Sequence, residues 1–144
     1  FYARLQQNFK VGILHWDNSV TYQKTSNDLI IPLPELAVYS NLYMLARIAT
    51  LRLQFGVDCD YYTSYYAPSY QPATATFANV REMKIGNYPF LNVYANMKLS
   101  KARFYVMFSH VNQGLFGGSG YFSMPYYPLN PRRLQIGVSV DFTN

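Results

Sequence analysis

The clearest signal along the chain is an alternation of period two. From Arg133 onward, Leu134, Ile136, Val138, Val140 and Phe142 are apolar, while Gln135, Gly137, Ser139, Asp141 and Thr143 are small or polar. Successive side chains of a strand point to opposite faces, so this stretch reads as a strand with one apolar side. The same pattern sets Leu51, Leu53, Phe55, Val57, Cys59 and Tyr61 against Arg52, Gln54, Gly56, Asp58 and Asp60. Leu91, Val93, Ala95, Met97 and Leu99 oppose Asn92, Tyr94, Asn96 and Lys98, and Ala102, Phe104, Val106 and Phe108 oppose Arg103, Tyr105, Met107 and Ser109.

Only Ser100-Lys101 separates the last two segments, and two strands joined by about two residues form a hairpin. Similar joins recur around Val11-Gly12 and Ile48-Ala49. The repeating unit is a strand ending in a basic residue (Lys10, Arg47, Lys98), a tight turn, and a strand that runs out into a polar loop rich in Pro, Gly and Tyr. Three copies and a final strand give about seven strands. They span Tyr2 to Lys10, Ile13 to Lys24, Leu36 to Arg47, Thr50 to Tyr62, Tyr88 to Leu99, Ala102 to Val111 and Arg133 to Thr143. The long connections are Thr25 to Glu35, Thr63 to Asn87 and Asn112 to Arg132.

Short turns at one end and long loops at the other are the plan of an outer-membrane barrel, with periplasmic turns and extracellular loops. Strands of about 9 to 13 residues suit a tilted membrane crossing better than the five or six of an ordinary soluble sheet. The amphipathic rings of Trp16, Tyr22, Tyr39, Tyr61, Tyr62, Tyr94 and Tyr105 fall near strand ends in several cases, where an aromatic girdle belongs. The expected class is therefore all-β, an antiparallel up-and-down transmembrane β-barrel segment.

Composition agrees. The 15 tyrosines and 10 phenylalanines favour strands, and half of the 144 residues are hydrophobic, enough to oppose disorder. No unbroken apolar run reaches the 18 or so residues of a membrane helix, and a mean hydropathy of −0.10 is what alternating barrel strands give. The net charge of +5 comes from Lys and Arg residues scattered along the chain, which argues against nucleic acid and suits an anionic lipid surface. One cysteine, Cys59, forbids an internal disulfide and leaves no thiolate metal cluster. Phe1 is not an initiator residue and no signal peptide is visible, so the chain reads as processed, truncated or incomplete.

Chemistry-bearing residues are sparse. His15 and Asp17 share the polar face of one strand and could act as a base pair, but no nucleophile is placed beside them, and a wall-lining pair is the plainer reading. Cys59 points away from Asp58 and Asp60, which leaves two visible oxygen ligands and no assigned metal. The stretch 114–120 is glycine-rich but lacks a phosphate-loop lysine, and the Tyr-rich stretch from Tyr61 to Tyr70 either stacks sugars or packs on its neighbours. The polar faces carry Arg4, Lys10, His15, Asp17, Arg52, Asp58, Asp60, Lys98, Arg103 and Asp141, the expected pore lining. Leu134, Ile136, Val138, Val140 and Phe142 are the expected lipid side of the last strand.

Several stretches are also familiar. His15-Trp16-Asp17-Asn18 with Val20-Thr21-Tyr22-Gln23, Tyr39-Ser40-Asn41-Leu42-Tyr43, and Gly86-Asn87-Tyr88-Pro89-Phe90 are the first of them. Ser109-His110-Val111-Asn112-Gln113-Gly114, Tyr121-Phe122-Ser123-Met124-Pro125 and Tyr127-Pro128-Leu129-Asn130-Pro131-Arg132 complete the set. Through them the chain resembles the C-terminal part of the putative porins of Bacteroidetes. The resemblance implies one barrel domain of which residues 1–144 are the last part, located in the bacterial outer membrane. An odd number of strands agrees, because single-chain barrels close with an even number. The last strand, with Phe142 near its end, also resembles the signal read by the outer-membrane assembly machinery, although Thr143-Asn144 follow it.

The expected function is a passive diffusion channel for small hydrophilic solutes, not an enzyme, with no cofactor or metal. Expected partners are outer-membrane lipid and lipopolysaccharide, the assembly machinery, other outer-membrane proteins through the loops, and no nucleic acid. The alternatives are a non-conducting scaffold barrel within a larger outer-membrane complex and a soluble antiparallel sandwich.

Overall fold

Period two and two-residue turns build a meander. A computed structural model of the chain describes residues 1–27, 30–115 and 121–142. Its elements are β1 (Tyr2–Val11), β2 (Leu14–Gln23), β3 (Leu36–Ile48), β4 (Leu51–Tyr62), β5 (Tyr65–Tyr66), β6 (Ser69–Gln71), β7 (Thr76–Ala78) and β8 (Lys84–Ile85). They continue with β9 (Phe90–Leu99), β10 (Ala102–Ser109), β11 (Phe122–Met124), β12 (Tyr127–Pro128) and β13 (Arg133–Val140). The long strands form one seven-stranded sheet in the order β1-β2-β3-β4-β9-β10-β13, with antiparallel neighbours throughout. The fold is an all-β, up-and-down antiparallel sheet, and among the described residues the outer edges of β1 and β13 carry no partner strand.

The three tight turns share one device. Gly12, Ala49 and Ser100 each take a positive φ of 60°, 53° and 51°, the first central residue of a type II′ turn, whose twist matches that of the flanking strands. Each turn locks its hairpin in register without a bulge, so Lys10 faces His15, Arg47 faces Arg52, and Lys98 faces Arg103.

In-register pairing carries the alternation across the sheet. Leu5, Val20 and Val38 lie side by side on one face, as do Val57, Val93, Phe108 and Leu134. Among the described residues no layer covers this face: Ile136 is 68% and Val138 60% exposed. A soluble sandwich needs a second sheet there, and among the described residues none is present. Polar groups on this face satisfy one another, since Trp16 Nε1 donates to Ser40 Oγ at 2.8 Å and Ser40 Oγ donates to Asn18 Oδ1 at 2.8 Å.

The loops depart from expectation. The connection between β4 and β9 holds two small ribbons, β5 with β8 and β6 with β7, and β11 pairs with β12 in the last loop. These ribbons give the long loops their own backbone hydrogen bonds. Strand β10 ends at Ser109 instead of Val111, because His110 turns to φ 56°. Most of the glycine-rich stretch, 116–120, and the final 143–144 lie outside the described residues.

Candidate functional site

The polar face is built row by row. Register places Arg4 and Lys10 of β1, His15 and Asp17 of β2, Arg52, Asp58 and Asp60 of β4, Lys98 of β9 and Arg103 of β10 on the same face. Asp141 joins them through an ion pair to Arg103 at 3.7 Å. Leu134, Ile136, Val138 and Val140 lie on the opposite face, and Phe142 beyond them is 90% exposed.

Charge is sorted along the strands. Next to the turns, Arg47, Arg52, Lys98 and Arg103 stand in direct lateral register on four consecutive strands. Toward the loops, Asn8, Asp17, Asn41, Asp58 and Asn92 form another row, and Asp60 sits in the next. Six residues of β4 separate Arg52 from Asp58, about 20 Å at the usual strand rise. Asp58 is buried and accepts from Asn92 Nδ2 at 2.6 Å, so it is a fixed part of the wall. His15 stacks on Tyr43 with ring centroids 5.0 Å apart, which supports a wall residue over a catalytic base. Among the described residues no three His, Cys, Asp or Glu side chains gather as a metal site.

Aromatic rings line this face as well. Parity places Tyr39, Tyr62, Tyr94 and Tyr105 on the polar side, so of the rings expected in a membrane girdle only Trp16, Tyr22 and Tyr61 stand on the apolar side. Tyr94 lies flat over its cross-strand partner Gly56, and Tyr105 over Gly137; a Cβ at either glycine would overlap the ring. Tyr94 is held there by donating its hydroxyl to Asn41 Oδ1 at 3.0 Å. Folding two large rings against the wall leaves the space above it free.

At the loop end a polar hub ties the connections together. His110 and Asn112 are each 1% exposed, among the most buried side chains described. His110 Nδ1 lies 2.8 Å from the Asn130 carbonyl, which can only accept, so Nδ1 carries the proton while Nε2 faces the Tyr88 hydroxyl at 2.9 Å. The His110 amide donates to Asn92 Oδ1 at 3.2 Å, linking the hub to Asp58. Asn112 receives the Leu91 amide and donates to the Pro89 carbonyl, and the Arg132 guanidinium donates to the carbonyls of Val111 and Gln113.

Beside the hub, Tyr88 stacks on Tyr121 at 3.7 Å. With Asp60, Tyr62, Ile85, Phe90 and Phe122 they enclose a cavity of about 270 Å³. Among the described residues the buried Tyr121 hydroxyl has no hydrogen-bond partner. Other loop rings pack on neighbours: Tyr70 meets Phe77 at 5.4 Å and Tyr127 at 6.3 Å, and Arg81 lies over Tyr66.

The family model described as "Putative porin" matches residues 1–144, the whole chain. The chain belongs to this family. No curated protein and no solved structure matches it. Family membership implies an outer-membrane protein, and it agrees with a sheet whose uncovered apolar face backs a charged and amide-rich one.

In this porin-family chain four of the stretches that carry the resemblance converge in space, while those of 15–23 and 39–43 lie in the wall. Tyr88, His110, Asn112, Tyr121, Asn130 and Arg132 come from four separate segments and meet at the hub. Sequence reasoning missed them as a cluster, and it missed Arg47 as a member of the charged row. Alternation already puts Arg47 on the polar face, but the turn expected at Ile48-Ala49 would set it opposite Thr50, and only the turn at Ala49-Thr50 brings it opposite Arg52.

Proposed function

We propose that the chain forms wall and loops of an outer-membrane barrel through which small hydrophilic solutes diffuse passively. The observation that carries this reading is the sorting of faces over seven strands, with mainly apolar side chains on one side, interrupted by the row of Gln7, Asn18 and Ser40, and most of the Arg, Lys, Asp, Asn and Gln side chains on the other. Such a sheet is stable when lipid wets one face and water the other. Solutes are then sorted by size and by the field of Arg4, Lys10, His15, Asp17, Arg52, Asp58, Asp60, Lys98, Arg103 and Asp141, with no turnover chemistry. Lipid and lipopolysaccharide cover the apolar face, and the assembly machinery reads the last strand with Leu134, Ile136, Val138, Val140 and Phe142.

The test is conductance of the native protein, extracted from its membrane and reconstituted in a planar bilayer. Stepwise current is expected. A silent bilayer with protein that still migrates as a folded barrel on an unheated gel would reject the channel and favour the scaffold reading, for which the hub provides fixed loops able to dock a neighbour.

A further inference from the structure

Among the described residues, three of the four cations beside the turns have no carboxylate partner. Arg47, Arg52, Lys98 and Arg103 face one another across β3, β4, β9 and β10, with neighbouring side chains starting about 5 Å apart. Like charges in direct cross-strand register destabilise a sheet. Asp141 offsets only the end of the row, reaching Arg103 at 3.7 Å. Arg47 Nε reaches the Ala49 carbonyl at 3.4 Å, and among the described residues no carboxylate lies within 4.0 Å of Arg47, Arg52 or Lys98. The three unmatched cations, with Thr50 and Ser100 from the two adjacent turns, line a hollow of about 340 Å³. Two guanidinium groups and an ammonium can only donate, and the two hydroxyls can donate as well, so the occupant must be an acceptor with negative charge.

We propose that this hollow is a binding site for a doubly charged oxyanion, a phosphate group above all. Guanidinium forks match the geometry of phosphate oxygens, and an anion seated there relieves the repulsion along the row. The chemistry recognised is the phosphate group itself, free or carried on a small organic solute, and a hollow of about 340 Å³ holds either. The site deepens the channel reading by giving the turn-end mouth a preferred solute, and it rests on the polar face being wet but not on conduction.

The test is calorimetric titration of the native protein in detergent, in a chloride-free buffer, with inorganic phosphate and separately with glycerol phosphate. Saturable binding of phosphate is expected. The double variant Arg52→Gln with Lys98→Gln should weaken it by about tenfold or more, two lost charge-assisted contacts being enough for that. Arg52→Lys should keep most of the affinity, and Lys24→Gln, just beyond the loop end of β2, should leave it unchanged. Folding of each variant is checked by heat-sensitive gel migration, and the double variant should fold at least as well because it removes repulsion. Stronger binding of glycerol phosphate than of phosphate would assign the site to organic solutes; the reverse would assign it to the free ion. Heat no larger than an equal concentration of sodium gluconate gives, or equal binding by wild type and the folded double variant, would overturn the proposal. Because binding is read without a bilayer, a silent channel with saturable phosphate binding rejects the channel and leaves the site standing.

Discussion

The wall and the loop cluster of this chain are stabilised in opposite ways. The seven-stranded wall has almost no interior, since Leu134, Ile136 and Val138 on one side and Arg52 and Lys98 on the other all reach outward. The loop cluster holds most of the deeply buried side chains, and half of them are polar: Ser69, His110 and Asn112 beside Ala67, Ile85 and Pro125, with Asn92 and Asp58 anchoring the cluster to the wall. On the proposed reading the wall lies between two solvents and gains stability from the medium, through lipid on one face. A cap in water must hold itself together, and here it uses satisfied hydrogen bonds to a degree usually left to apolar packing.

The largest effect that sharpens this contrast concerns the medium. Val138→Arg puts a charge on the lipid side of β13 and should cost about 2 to 4 kcal/mol of folding into vesicles, read by urea titration. Ser139→Arg, one residue away on the polar side, should be tolerated. Equal losses would break the assignment of faces.

Breaking the hub should cost less and stay local. His110→Ala strands the Asn130 carbonyl and removes one partner of the Tyr88 hydroxyl, a loss of about 1 to 3 kcal/mol confined to the cap. Limited proteolysis should then cut within 112–132 while the barrel keeps its heat-sensitive migration. A global loss of folding would mean that wall and cap are one unit.

A smaller effect is expected inside the wall. Gly137→Ala places a Cβ where the Tyr105 ring lies, forcing the ring off the wall at a cost of about 1 kcal/mol. The displaced ring should narrow the path and lower single-channel conductance, while Gly12→Ala, with no atom within 4 Å of its added Cβ, should leave it unchanged.

The smallest effect is one of pH. Burial, and after it the neighbouring Tyr121 phenol, hold the Tyr88 hydroxyl above the usual 10.0. The folded cap thus keeps its proton longer than the unfolded chain, so this contribution is complete below pH 10.0 and is lost as pH rises through the folded value. Protease sensitivity of 112–132 should rise above pH 10.0 in wild type, and this rise should shrink in Tyr88→Phe.

The wall was legible because its rule is local. Alternation placed all seven strands, and most ends fell within two residues of those observed, as Tyr2–Val11 against Tyr2 to Lys10 illustrates. Register was legible at Ser100-Lys101, which sets Lys98 opposite Arg103, but the other two turns lie one residue further along than expected, at Gly12-Ile13 and Ala49-Thr50, so Arg47 faces Arg52 instead of Thr50. Arg52 beside Lys98 was not legible, because a long connection joins β4 to β9 and nothing local sets their offset. The hub was illegible for the same reason, compounded by the positive φ of His110, which reverses a side chain that alternation would have sent to the apolar side.

The orientation of the two faces is the claim on which the rest depends. It is tested most directly by single cysteines at Val138 and Ser139 in the native protein with Cys59 replaced by serine, reconstituted in vesicles and treated with a water-soluble maleimide. The account predicts rapid labelling of Ser139→Cys and protection of Val138→Cys, which should instead react with a lipid-soluble reagent. Equal labelling of both by the water-soluble reagent would contradict it.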